Sequence, residues 1–316
     1  MDVALGILGI AAGAAIIVGS AELFAEHLGA AAARLGMTTF ALALLLAGAE
    51  PEELATTVTG SLRHVPAIAF GDVIGSNVAV CLVALGVGAF VAPLPFGPRV
   101  RLYALLGLPV GALSVAVAWD GHVGRFGGTV LVAAYVGYVA VIWIRERRPP
   151  ALGETGEVEV AADAVASPRS VRDVMLVLVG LAGMVVGAVL LVEGLRSVTD
   201  VQATQTDLSI TLVGFATAFE LVVLAWSSAR RGITEAAVAA VVGSFAYNAT
   251  MSLGVAALAR PLRVADAGSL HVPLLLMLAA LALVLLLAIP PGRLTRGRGV
   301  ALVATYPMFV AYIVLR

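Results

Sequence analysis

The chain has 316 residues, 61% of them hydrophobic and 12% charged, with a formal net charge of −1 and a mean hydropathy of +1.04. That balance excludes a soluble globular fold, whose surface needs far more polar side chains. A nearly neutral chain offers no basic footprint to a nucleic acid, and a lipid bilayer is its expected surrounding.

Apolar runs of about 17 to 25 residues recur along the whole length, each enough to cross roughly 30 Å of hydrocarbon. Strand-like alternation is missing, so helices rather than a barrel must satisfy the backbone. The pattern predicts an all-α, polytopic membrane protein with ten spans, at about 3–25, 37–60, 67–93, 100–118, 124–145, 174–195, 208–229, 233–258, 270–289 and 299–315. The first span opens "MDVALGILGIAAGAAIIVGS"; without a basic leader it reads as a retained helix, not a cleaved signal. The second carries "AGAEPEEL", which sets Glu50, Glu52 and Glu53 around Pro51 straight after an apolar run. The third holds "GDVIGSNVAV", with Asp72 and Ser76, and then the single cysteine. Cys81 excludes an internal disulfide framework and a thiolate metal cluster, and reads as a small buried hydrophobe.

Residues 146–173 are polar, proline-bearing and short of aromatics, as expected of a linker between two halves. The seventh span contains "TAFEL", with Thr217 and Glu220, and the eighth "VVGSFAYN", with Ser244 and Asn248. All 19 Lys and Arg positions are arginine. With the N-terminus outside, 13 of the 19 fall on inner loops, among them Arg230 and Arg231. That excess predicts an inner (plasma) membrane protein with both termini extracytoplasmic and the central linker cytoplasmic.

The halves repeat. "VGSAELFAEHLG" superposes on "VGAVLLVEGLRS", placing Glu26 on Glu193. From each, 27 residues lead to a second acid, Glu53 or Glu220. Another 23 or 24 residues lead to Ser76 or Ser244, and ten more to Gly86 or Gly254. Five spans per half is an odd number, so residues 1–145 and 174–316 are expected to form two inverted five-helix repeats, with broken helices at an ion site.

An acid at mid-bilayer costs about 2.5–3.5 kcal/mol on insertion scales, so it usually faces a bundle interior or a watery cavity. Pro51 removes a backbone donor and frees a carbonyl near position 47. Glu50 and Glu53 are three apart, Asp72 and Ser76 four, Thr217 and Glu220 three, Ser244 and Asn248 four. A helical course would put each pair on one face. Carboxylates, hydroxyls and carbonyls are the hard oxygen donors that Ca2+ takes, about six to eight at a time. A dehydrated cation is the expected occupant, with no cofactor.

These residues carry a family resemblance. Segments 48–86 and 214–254 resemble the α-repeats of the cation/Ca2+ exchanger superfamily, the Na+/Ca2+ exchangers and their relatives. The family pattern G-T-S-x-P-E-L, then G-N-x-x-G-S-N-x-x-N/D, is matched here by "GAEPEEL" and "GDVIGSNVAV", and again by "FATAFEL" and "AAVVGSFAYN". The resemblance implies that Glu53 and Glu220 are the paired central acids, with Ser76, Thr217, Ser244 and Asn248 on liganding positions and Glu50 and Asp72 close by. It implies an antiporter exchanging Ca2+ against Na+ or H+ by alternating access, in which the first and sixth spans slide across the core.

The departures bear on coupling. The Thr-Ser pair of the family is Ala49–Glu50 in one copy and Ala216–Thr217 in the other. Val80 stands opposite Asn248, Phe219 replaces the proline, and Asp72 replaces an asparagine whose counterpart is Ala240. Hydroxyls lost and acids gained fit H+ coupling at least as well as Na+, or a different cation; the alternative substrates are Mg2+, Mn2+ or a monovalent cation.

Other readings stay open for single residues. Glu52 and Glu50 could stabilise or cap a helix start at Pro51. Asp72 could pair with Arg63 or His64. Ser76, Ser244 and Asn248 could serve helix packing. Glu26 and Glu193 read as interfacial charges. His27, His64, His122 and His271 lie near span ends without metal-ligand spacing. No histidine shares the depth of the span serines, so a hydrolase is not expected. A channel of acidic rings fits paired acids less well than an exchanger does.

Overall fold

The computed structural model describes residues 3–34, 50–146, 171–199, 201–231, 234–290 and 292–316. Among them, nine helical stretches are long and apolar enough to cross a membrane. The expected second span is described only from Glu50 onward. Its first part, and nearly all of the 146–173 linker, lie outside the described residues.

Each half opens with a long helix, α1 (Val3–Arg34) and its counterpart Val171–Val198. The two pack on each other through small residues. A Cβ on Gly13 would sit 2.6 Å from the Gly187 carbonyl oxygen, and one on Gly187 would sit 2.7 Å from that of Gly13. Glycine therefore lets the backbones touch. The outer faces, including Leu5, Ile7, Leu178 and Val179, stay exposed, as lipid-facing residues should.

In the first half α2 (Pro51–Leu62) starts at a proline, whose missing N–H belongs to an unpaired first turn in any case. His64 adopts a left-handed φ of +63°, and Val65 N–H returns to the Gly60 carbonyl at 2.9 Å. That tight turn sets α3 (Pro66–Ala79) antiparallel beside α2. The third span then runs through a π-helical segment, Val80–Ala84, into α4 (Leu85–Val91). The half closes with α5 (Pro98–Ala118) and α6 (Arg125–Glu146).

Counting Val171–Val198 as α7, the second half follows the same plan. Its seventh span is α8 (Gln202–Leu208), a π segment Ser209–Val213 and α9 (Gly214–Arg231). The eighth is α10 (Thr234–Ala246), a π segment Tyr247–Ser252 and α11 (Leu253–Ala259). Then come α12 (Gly268–Ala288) and α13 (Arg296–Leu315). Where α2 starts at Pro51, the seventh span stays helical and widens to a π turn at Ser209–Val213.

Two short antiparallel ladders join the halves. β1 (Leu94–Pro95), between the third and fourth spans, pairs with β4 (Arg293–Leu294), between the ninth and tenth. β2 (His122–Val123), between the fourth and fifth, pairs with β3 (Leu262–Arg263), between the eighth and ninth. Parallel repeats would have put β1 beside β3, so the crossed pairing belongs to an inverted arrangement. Glycine contacts obey the same symmetry. Gly86 abuts the Gly299 carbonyl of α13, and Gly254 abuts the Gly128 carbonyl of α6.

The centre of the bundle is formed by the third and eighth spans. Their apolar windows are 89% and 83% buried, against 22% for the first and tenth. The "GSN" and "GSF" serines therefore sit on the two most buried of the described membrane-length helices.

Candidate functional site

The approach of α3 to the seventh span builds the site. A Cβ on Gly75 would collide with the Ile210 carbonyl, and one on Gly71 with Ser209, both in the π segment. Gly214 returns the contact, its missing Cβ lying 2.5 Å from Ser76 N. These glycines bring the "GDVIGSN" face of one half against "GFATAFEL" of the other. π turns often mark functional positions because they redirect side chains and leave carbonyls less fully used.

Three carboxyls are held there in the same way. Ser76 donates to Glu53 Oε2 at 2.9 Å. Thr217 Oγ1 donates to Asp72 Oδ1 at 2.8 Å, across the repeat boundary. Asn248 Nδ2 donates to Glu50 Oε2 at 2.8 Å, again across the boundary. It also reaches Ser244 Oγ, one turn earlier, at 3.3 Å. Thr217 lies 3.2 Å and 3.3 Å from the carbonyl oxygens of Val213 and Gly214 as well. All seven residues are at most 3% exposed.

In each carboxyl the second oxygen, Glu50 Oε1, Glu53 Oε1 or Asp72 Oδ2, is buried with no hydrogen-bond partner among the described residues. A serine, threonine or amide donor orients a carboxyl without neutralising it. A buried anionic oxygen left so is expensive unless a cation joins it. The donor set is all oxygen, the chemistry that a hard divalent or alkali cation requires. Among the described residues no three Asp, Glu, His or Cys side chains converge on one point, so hydroxyls, the Asn248 amide and carbonyls must complete any coordination shell.

Several single-residue alternatives are resolved by these contacts. Glu50 occupies the position before α2 but makes no capping bond; its carboxyl is turned to Asn248. Asp72 is paired with Thr217, while Arg63 binds Glu193 at 2.9 Å on the exposed surface, with Arg196 at 3.5 Å from the same oxygen. Glu193 is thus an exposed, ion-paired charge. The Glu26 side chain lies outside the described residues, as does the carbonyl near position 47. Cys81 is buried and free.

Glu220 is half-buried and faces a cavity of about 420 Å3, together with Glu50, Glu52, Phe219 and Ser227. The Glu50 carboxyl lies within electrostatic reach of both Glu220 and Glu53. Two further acids were not assigned to the site from sequence. Glu52, which reads as a helix-start charge, is 2% exposed, and its Oε2 has no hydrogen-bond partner. Glu22, on α1, lines the same cavity; its only sequence signal is an acid inside an apolar span.

Similarity to known proteins agrees with this picture. The profile of the family described as sodium/calcium exchanger protein matches residues 3–144 and 173–315. An uncharacterized membrane protein of Methanocaldococcus jannaschii, MJ0091, is 23% identical over 312 residues, covering 97% of this chain and 95% of the relative. Solved structures of the sodium–calcium exchanger NCX_Mj share the fold. One soaked with 100 mM Na+ and 10 mM Sr2+ superposes with a TM-score of 0.64 at 21% identity, covering 98% of this chain and 99% of its own. Another, soaked with zero Na+ and Ca2+, gives 0.60 at 23% identity over the full length of both chains.

Proposed function

The chain belongs to the sodium/calcium exchanger protein family, and from that premise we propose that it exchanges Ca2+ against Na+ or H+ by alternating access. Glu53 and Glu220 are the central acids, with Glu50, Asp72, Ser76, Thr217, Ser244 and Asn248 supplying or orienting further oxygen ligands. Residues 1–145 and 174–316 act as the two inverted repeats, with 146–173 as a cytoplasmic linker. Both termini lie outside an inner (plasma) membrane.

One observation carries the reading: three buried carboxyls each spend one oxygen on a neutral donor and keep the other open. A cation entering between the repeats can take such open oxygens as partners, with hydroxyls, the Asn248 amide and carbonyls completing its shell. The counter-ion takes over those oxygens on the return, which prevents the acids from crossing uncompensated. The glycine seam locks α1 and α7 to each other, which lets the pair move as one unit past the buried third and eighth spans. The acid load favours H+ beside Na+ as counter-ion, because the carboxyls near the site outnumber the two charges of one Ca2+.

The test is 45Ca2+ flux in proteoliposomes against imposed Na+ and H+ gradients, with Mg2+ and Mn2+ as competitors. Gradient-driven uptake is expected in the wild type and is expected to vanish in Glu53→Gln and Glu220→Gln proteins that still insert. Undiminished uptake by both variants would overturn the assignment.

A further inference from the structure

We propose that Glu22 and Glu52, together with Glu220, form an outer acceptance site for a hydrated divalent cation, on the cavity side of the dehydrated position. The proposal rests on the exchange reading above; Glu220 is common to both positions, while Glu22 and Glu52 lie outside the deeper ligand set.

The cavity runs from Glu50 and Glu52, at the start of α2, along α9 to Ser227, toward the end that carries Arg230. Four glutamates line it, and no basic side chain does among the described residues. A space of about 420 Å3 has room for about a dozen waters at ~30 Å3 each. No three acids among the described residues close to direct chelation. A cation there keeps its hydration shell, and the carboxylates bind it through water.

Glu52 supplies the independent indication of a ligand. It is 2% exposed, lines the cavity, and has a carboxylate oxygen, Oε2, without a hydrogen-bond partner. Glu53 differs, being bonded to Ser76. Glu22 rides on α1, whose side chain at this point is exposed to the cavity. Repeat symmetry places Val189 opposite Glu22 and Phe219 opposite Glu52. The mirror-related position lacks both acids, so the site serves one membrane face only.

Two measurements test this. In vesicles of defined orientation, Glu22→Gln should raise the apparent KM for Ca2+ about tenfold on the Arg230 face, equivalent to about 1.4 kcal/mol, with no shift on the opposite face. An unchanged KM, or an equal shift on both faces, would overturn the proposal. Equilibrium binding of 45Ca2+ to purified Glu53→Gln protein should retain a weak component that disappears when Glu22→Gln and Glu52→Gln are added. Complete loss of binding in Glu53→Gln alone would also overturn it. Failure of the wild type to move Ca2+ with that weak component present would count against exchange, not against the acceptance site.

Discussion

The second and seventh spans occupy equivalent places in the two halves, yet they present their site residues by different means. In the second, α2 begins at Pro51 and gathers Glu50, Glu52 and Glu53 about one helix start. In the seventh, the helix is continuous from Gln202 to Arg231 apart from the π segment Ser209–Val213. Its α9 part brings the acid Glu220 and the hydroxyl of Thr217 toward the other half. A helix start offers unpaired N–H groups that stabilise carboxylates. A π turn instead loosens carbonyls and shifts the face that side chains present. The acid-rich side and the hydroxyl side then cross-pair: Thr217 holds Asp72, and Asn248 holds Glu50. The difference between the halves is therefore complementary in one direction: the second half supplies the donors and the first half the carboxyls.

The largest effect is expected where the halves agree. Glu53→Gln and Glu220→Gln should each lower exchange ~100-fold or more, a loss of about 3 kcal/mol of stabilisation. The readout is 45Ca2+ flux at equal membrane incorporation. A loss confined to one variant would break the equivalence of the two acids.

Next comes the contact that joins the spans. Gly75→Val drives a side chain into the Ile210 carbonyl, and overpacking of this kind costs about 1–3 kcal/mol or more. The thermal midpoint in detergent should fall clearly. Gly137→Ala, where nothing lies within 4 Å, should leave it in place.

Asn248→Val makes the second half resemble the first, which has Val80. It leaves Glu50 Oε2 without its donor, a change of about 1–3 kcal/mol for a buried polar group. Weaker cation affinity in equilibrium binding is expected, with Asn248→Asp less affected than Asn248→Val. Equal affinity in Asn248→Val would mean that cross-pairing does not organise the site.

The smallest effect belongs to the surface. Arg63→Ala removes the exposed pair with Glu193, a contribution of about 0.2–1 kcal/mol that salt screens further. Thermal melts at low and high salt should differ by that little, and flux should hardly change.

Much of this was legible before any coordinates. Span lengths follow from hydropathy, and parity follows from counting five spans per half. The acid and serine spacings aligned the halves across a single gap. Among the expected residues Ser76 meets Glu53, Thr217 meets Asp72, Asn248 meets Glu50 and Ser244, and Glu220 shares a cavity with Glu50. Glu52 was read as a helix-start charge because its neighbour Pro51 explains it locally; only packing buries it. Glu22 went unassigned because no spacing rule links it to residues on other spans.

What the chain alone determined was the solvent it lives in, the number of crossings and the inverted relation, since hydrophobic length and odd span count act locally along the sequence. Which oxygen meets which donor was decided in three dimensions. Gly71, Gly75 and Gly214 permit a backbone approach between helices some 140 residues apart, and that approach selects Thr217 for Asp72 in place of Arg63. No periodicity encodes such a choice, because it depends on how closely two helices are allowed to touch.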